Sequence, residues 1–277
     1  MNKNHLCPSA APPTLPIAAG VLLLAIAFAG CGGHPTSPVK PVPLTLQAAG
    51  VGGATQRFTT STLLAPSATD TIPVTFTQAL LVVRDVRFVR EGDDEGDDAD
   101  TLGINEEGLS DDGDDNGDDG GQARFRGPYV VDLLAGTAQS LDTEMVLPGA
   151  YERVQGHLRA LRAEDGPAST YPSLIGSTIR LEGTIDGEGG GPFTYSARID
   201  NEFLIRGDFV LQAETPATAF LVFDLSRFLT GRDGQFLDPR VIENDLAIKQ
   251  AIRHAIKVGM DDDHDGEIDD DLNEAED

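Results

Sequence analysis

The sequence predicts an all-β fold, an antiparallel β-sandwich of about seven to nine strands with one C-terminal helix. The strongest evidence is the strict alternation of apolar and polar residues along residues 179–186 and 193–200. Period-two alternation places one set of side chains on one face, so both strands are expected to be half buried. The glycine-rich residues 187–191 between them are typical of a hairpin loop.

The other strands are predicted from short runs rich in Val, Leu and Phe, which Gly, Pro or Asp residues separate. The β pattern begins at Leu44, and the sandwich domain is expected to span residues 44–230. Many short strands within one domain length are typical of a sandwich or a barrel. The predicted strands lie at residues 74–76, 79–90, 129–134, 151–161, 203–213 and 217–225.

One helix is predicted near the end of the chain, within residues 240–259. Ile248, Ile252 and Ile256 recur at a spacing of four, which places them on one face of a helix. Gly259 is a suitable residue to end it. We therefore expect this helix to pack its isoleucines against the sheet.

The charge of the chain is concentrated in two segments. Residues 91–119 hold fifteen acidic side chains and residues 261–277 hold eleven, and neither segment contains Lys or Arg. These 26 acidic side chains account for the whole net charge of −26, because the remaining 20 acidic and 20 basic residues balance. Because Asp-Gly sequence cannot form a core, residues 91–121 are expected to be a disordered acidic insertion. Nucleic acid is not expected as a partner, since its phosphates would be repelled.

The acidic tail, residues 260–277, contains the D-x-D-x-D-G spacing of an EF-hand-type calcium loop. It resembles the thrombospondin type 3 and dockerin-like Asp repeats of exported bacterial proteins, which implies weak binding of Ca²⁺. Leu272 stands where such loops carry a bidentate Glu, so a solvated tail without metal is the alternative. A second match to this spacing, at residues 112–118 within the insertion, is poorer. The candidate calcium ligands are Asp261, Asp263, Asp265, Glu267 and Asp269.

Near the N-terminus, the apolar residues 17–28 run into two small residues and stop at Cys31. This arrangement resembles the signal peptides of bacterial lipoproteins, which implies that residues 1–30 are removed and that Cys31 is lipidated. The apolar run is shorter than the roughly 20 residues of a spanning helix, and an ordinary secretory signal is the alternative. Residues 31–43 read as a Gly- and Pro-rich tether. Because Gly32 follows the cysteine, the resemblance implies the bacterial cell envelope, at the periplasmic or surface face of the outer membrane.

A second resemblance concerns the body of the chain. Residues 129–159, YVVDLLAGTAQSLDTEMVLPGAYERVQGHLR, and the later FVLQAETPATAFLVFDLSRF are similar to the bacterial domain of unknown function 4382. The similarity covers residues 70–230 and is most specific at residues 147–151. That family implies a β-sandwich in an exported lipoprotein and offers no catalytic residue to carry over.

The sequence contains no nucleophile elbow, zinc-protease motif or phosphate-binding loop, and no Cys follows Cys31. We therefore expect a non-enzymatic, lipid-anchored binding or structural module of the envelope with a protein or glycan ligand. A carbohydrate-binding module is the first alternative, although the chain has no Trp for stacking on sugars. A hydrolase that uses a pair of carboxylates is the second alternative.

Overall fold

The structure is a computed structural model that describes residues 39–61, 69–90, 123–261 and 272–275. The predicted signal peptide, the acidic insertion and most of the acidic tail lie outside the described residues. The strands are β1 (Val42–Val51), β2 (Thr55–Ser61), β3 (Thr69–Arg90), β4 (Ala123–Phe125), β5 (Tyr129–Asp132), β6 (Gln139–Val146), β7 (Gly149–Leu158), β8 (Ile179–Ile185), β9 (Gly191–Ala197), β10 (Asn201–Leu211), β11 (Ala217–Asp224), β12 (Ile256–Met260) and β13 (Asn273–Glu274), and the helix is α1 (Asp245–His254).

These strands form two sheets, so the predicted all-β sandwich with one C-terminal helix is confirmed. The first sheet has the order β13-β12-β11-β1-β6, and the second has the order β10-β7-β3-β8-β9, with β2, β4 and β5 also paired to β3. Most pairs are antiparallel, but β1 and β11 run parallel. One core of buried side chains from both sheets and from α1 fills the space between them.

The described residues hold thirteen strands rather than seven to nine. Some of the additional strands, such as β4 and β13, are only three and two residues long, too short to show a period. Strand β6 is mostly half-buried or exposed and carries few apolar residues, so its sequence QSLDTEMV has no clear alternation. These strands form because neighbouring strands offer them backbone partners, which is information outside their own sequence.

Strand β3 organises the second sheet, because five other strands pair with it. The segments predicted as separate strands at residues 74–76 and 79–90 belong to this one strand of 22 residues. Its pairing register shifts between Phe76 and Gln78 and between Arg84 and Arg87, as at β-bulges, which bend a strand without ending it. Asp85, inside the second irregularity, has the left-handed φ of 54° that Asp tolerates better than most residues.

The hairpin predicted from residues 179–200 is present as β8 and β9, which pair in antiparallel register. Ile179, Leu181 and Ile185 of β8 are buried on one face. The alternate residues of β9, Phe193 and Tyr195, are buried in the same core. The period-two pattern therefore predicted both the strands and their buried faces.

The helix is shorter than the predicted range of residues 240–259. Ile248 and Ile252 are buried under α1 as expected, but Ile256 begins β12 and pairs with Phe223 of β11. The isoleucine spacing continues past the helix end because residues 256–260 also need a buried face, now in a strand between β11 and β13. The first sheet therefore extends beyond residue 230, where the sandwich domain was expected to end.

Candidate functional site

A cleft of about 710 Å³ opens beside β3, where β4, β7 and β9 end. Its wall carries six arginines but only two aspartates, together with one histidine. The residues that line the cleft come from five separate segments of the chain, which the fold brings together. The ionisable lining residues are Arg84, Asp85, Arg124, Arg126, His157, Arg159, Arg162, Arg198 and Asp200.

Pairing of the strands accounts for the position of the inner part of the cleft. Arg84 of β3 lies opposite His157 of β7, and Arg87 of β3 lies opposite Arg124 of β4. The loop after β7 is held by a small second core on the face of β3 that points away from the main core, in which Leu80, Val82, Leu161, Ala168 and Leu174 are buried. This core makes the cleft wall a fixed part of the sandwich.

The inner part of the cleft is built from arginines whose charges are balanced. Arg84 Nη2 forms a salt bridge with Asp165 and donates to the Ala160 carbonyl at 3.2 Å, which ties the loop to β3. Arg124 Nε donates to Asp85 Oδ1 at 2.6 Å, and Arg87 Nη2 donates to Asp85 Oδ2 at 2.8 Å. Burial alone would raise the pKa of Asp85, but its hydrogen bonds to Arg124 and Arg87 and their charges hold that pKa below the usual 3.8.

Replacing Asp85 with Asn tests this inner cluster, because Asn keeps the shape and tolerates a left-handed backbone. At neutral pH we expect Asp85→Asn to lower the free energy of unfolding by about 1 kcal/mol, since Arg87 and Arg124 lose a shared charge. A carboxyl group whose pKa is lowered in the folded state stabilises the fold at pH values above 3.8. That stabilisation is lost as the pH falls through the pKa of the folded state. The difference in melting temperature between the wild type and the variant should therefore become smaller below pH 3.8. A difference that is constant with pH would contradict this role.

The outer part of the cleft is different, because its arginines are exposed and weakly compensated. Arg126 and Arg162 are exposed, and their guanidinium groups form no hydrogen bond or ion pair with any residue that the structure describes. Arg159 and Arg198 share Asp200, at 3.3 and 3.5 Å, and all three side chains are more than half exposed. Exposed pairs of this kind contribute about 0–1 kcal/mol. Four guanidinium groups are thus available to an incoming anion.

Asp261 is the one site residue proposed from the sequence that the structure describes, and it does not line this cleft. Asp261 directly follows β12, is buried, and donates its backbone N–H to the Thr218 carbonyl at 3.0 Å. The other calcium candidates, Asp263, Asp265, Glu267 and Asp269, and the lipidation candidate Cys31 lie outside the described residues. Within the described part of the chain, no three His, Cys, Asp or Glu side chains are grouped to hold a metal ion. No helix within the same residues is long and apolar enough to cross a membrane.

Sequence reasoning missed the cleft, because its residues are scattered over residues 84–200. The signal that was present is compositional. The chain has sixteen Arg and four Lys, and Arg is the cation that binds planar oxyanions through two parallel hydrogen bonds. Because the acidic and basic residues outside the two acidic segments are equal in number, the sequence does not show that six of the arginines lie together around one cleft.

No protein-family model, curated protein or solved structure matches the chain. The resemblances described from the sequence therefore stay predictions.

Proposed function

We propose that the protein is a non-enzymatic, lipid-anchored binding module of the bacterial cell envelope, and that it binds an anionic group of its ligand in the cleft beside β3. The observation that supports this best is the segregation of charge. A chain with a net charge of −26 gathers six arginines around a single cleft that holds two aspartates. Clefts lined by one sign of charge concentrate counter-ions and ligands of the opposite sign.

A purely structural role explains only part of this arrangement. Arg84 holds the loop after β7 through Asp165, and Arg124 holds β4 against β3 through Asp85. Arg126 and Arg162 hold nothing among the described residues, and they add repulsion to a wall that is already positive. Guanidinium groups bind carboxylate, phosphate and sulfate in a bidentate manner, which would offset that repulsion.

Attachment and metal binding belong to the same proposal and are supported by the sequence alone. Lipidation of Cys31 would hold the module on the membrane, since each buried methylene contributes about 0.8 kcal/mol. Weak binding of calcium by Asp261 and the acidic side chains that follow it would reduce the negative charge of the tail. Neither step needs a catalytic residue.

The experiment measures thermal stabilisation of the full chain in detergent by inorganic phosphate, sulfate and galacturonate, with sodium chloride at equal ionic strength as reference. A ligand that binds only the folded state raises the melting temperature as its concentration rises. We expect the three oxyanions to stabilise the protein more than chloride does. In the double variant Arg126→Glu/Arg162→Glu this additional stabilisation should be lost.

The matched control is Lys40→Glu/Arg57→Glu, which changes the net charge equally at two exposed residues outside the cleft. This control should keep the response to oxyanions. An equal loss in both double variants would mean that net charge alone is responsible, and the cleft would not be the binding site. A wild-type protein that responds to chloride as strongly as to the oxyanions would also overturn the proposal.

A further inference from the structure

The cleft continues into two smaller depressions. One, of about 320 Å³, lies between residues 198–201 and α1 and shares Arg198 and Asp200 with the cleft. The other, of about 540 Å³, lies between α1 and the loop after β11. It shares Arg232, Gln250 and His254 with the first depression. The three concavities therefore follow one another over the surface without a gap in their lining residues.

The outer face of α1 forms the middle of this path. Ile248 and Ile252 are fully buried, so Lys249 and Arg253, one position further along, lie at the surface of the helix, where they line the first depression. The start of α1 is fastened to β9, because the Tyr195 hydroxyl donates to Asp245 Oδ1 at 3.0 Å. The helix is thus held in place, and its cations have a fixed position relative to the cleft.

Basic side chains line the path along its length, and two of those in the depressions are paired with acidic side chains beside it. Arg227 lies 3.5 Å from Asp224 and 3.0 Å from Glu274, and Lys249 lies 2.7 Å from Asp245. The two depressions add Arg227, Arg232, Lys249 and Arg253 to the six arginines of the cleft. Half of the 20 basic residues of the chain therefore line the path, whereas Asp85 and Asp200 are its only acidic lining residues among those that the structure describes. A succession of separated cations fits a linear ligand with repeated negative charges better than a single small anion.

The path has no aromatic platform. Among the described residues, no Phe or Tyr lines the cleft or either depression. Proteins that bind single-stranded nucleic acid stack bases on aromatic side chains, and neutral sugars are likewise bound against aromatic faces. Recognition here must rest on ion pairs and hydrogen bonds, which a chain of acidic sugars supplies at regular intervals.

We propose that the cleft and the two depressions form one track for an acidic polysaccharide, a linear glycan that carries a carboxylate on successive sugar residues. The proposal rests on the function proposed above and names its ligand class. Linked carboxylates that occupy the cleft and then the α1 depressions bind more tightly than one carboxylate alone, because the second contact becomes intramolecular. Affinity should therefore rise with the number of sugar residues.

The test is calorimetric titration of the full chain with galacturonate oligomers from the dimer to the octamer. Methyl-esterified oligomers of the same lengths remove the charge and keep the sugar. We expect the octamer to bind at least about tenfold more tightly than the dimer. The esterified oligomers should give no heat beyond that of the buffer blank. The affinity of the octamer should fall steeply with added salt, since several charges are neutralised.

The two cations on the outer face of α1 provide the variant that separates the track from the cleft. Lys249→Gln/Arg253→Gln should remove the gain in affinity with oligomer length and keep dimer binding in the cleft, because it leaves the six arginines there unchanged. The matched control is Lys40→Gln/Arg57→Gln, which removes the same charge from outside the track and should leave every affinity unchanged.

The outcomes distinguish the two proposals. If dimer and octamer bind equally well, or the α1 variant keeps the gain with length, the track is wrong while the cleft proposal stands. If no galacturonate oligomer binds, the track is wrong, and the cleft proposal is then decided by its response to phosphate and sulfate. If dimer binding survives Arg126→Glu/Arg162→Glu, both proposals fail. Tighter binding of an oligodeoxynucleotide of equal charge would overturn the polysaccharide as the ligand.

Discussion

Phe88→Ala is expected to lower the free energy of unfolding by about 3–5 kcal/mol, a large share of the roughly 5–15 kcal/mol that stabilises an ordinary domain. Phe88 is fully buried in β3 and meets three rings from three other strands. Its ring centroid lies 6.1 Å from Phe125, 6.3 Å from Tyr151 and 5.9 Å from Phe209, each in an edge-to-face arrangement. Alanine would leave a cavity where β3, β4, β7 and β10 meet.

Chemical denaturation of the full chain measures this loss, and Phe88→Leu is the control. Leucine fills most of the volume but loses the ring contacts, so we expect a smaller cost of about 1–2 kcal/mol. Phe58→Ala provides a comparison, because Phe58 is buried but has one ring neighbour among the described residues, Phe236, at 5.4 Å. If Phe88→Ala cost less than Phe58→Ala, the four-ring cluster would not be the main support of the second sheet.

Gly50→Ala is expected to cost about 3 kcal/mol or more, at the upper end of the range for overpacking. A Cβ atom at Gly50 of β1 would lie 2.1 Å from the Leu133 carbonyl oxygen and 2.7 Å from Leu133 Cα. That backbone cannot withdraw easily, because Leu133 N–H donates to the Ala79 carbonyl at 2.8 Å and its side chain is buried. The missing side chain at Gly50 lets the first sheet approach the backbone of the second.

Gly166→Ala is the matched control for this substitution. A Cβ atom at Gly166 would meet nothing within 4 Å, and its backbone does not adopt the left-handed conformation. We expect its free energy of unfolding to change by less than about 0.5 kcal/mol. If both alanine variants were equally stable, the clash between a Cβ atom at residue 50 and the Leu133 carbonyl oxygen would not determine the stability of this region.

The parts of the fold that could be predicted are those whose pattern is complete within one segment. Strands β8 and β9 alternate without interruption, and the structure places them as predicted. Strand β3 could not be recognised as one strand, because the register shifts at Phe76 and Arg84 break its alternation. The end of α1 was missed because Ile256 satisfies the helical spacing and the β pairing equally well, and the exposed edge of β11 decides between them.

The candidate site could be predicted still less. Arg126 and Arg198 are 72 positions apart in sequence but line the same cleft, and nothing near either residue indicates the other. The charge pattern drew attention to the acidic segments instead, because like charges that are adjacent in sequence are visible without a structure. Positive charge that accumulates through strand pairing becomes visible only when the strands are placed.

The central position of β1 determines how the sandwich withstands a mechanical load. Strand β1 is the first described strand and lies between β11 and β6, with hydrogen-bonded neighbours on both sides. Tension applied along β1 from the chain ahead of Val42 would shear both ladders at once, rather than unzip them bond by bond. A module tethered from that end would therefore resist extraction by flow or by a ligand that pulls on it.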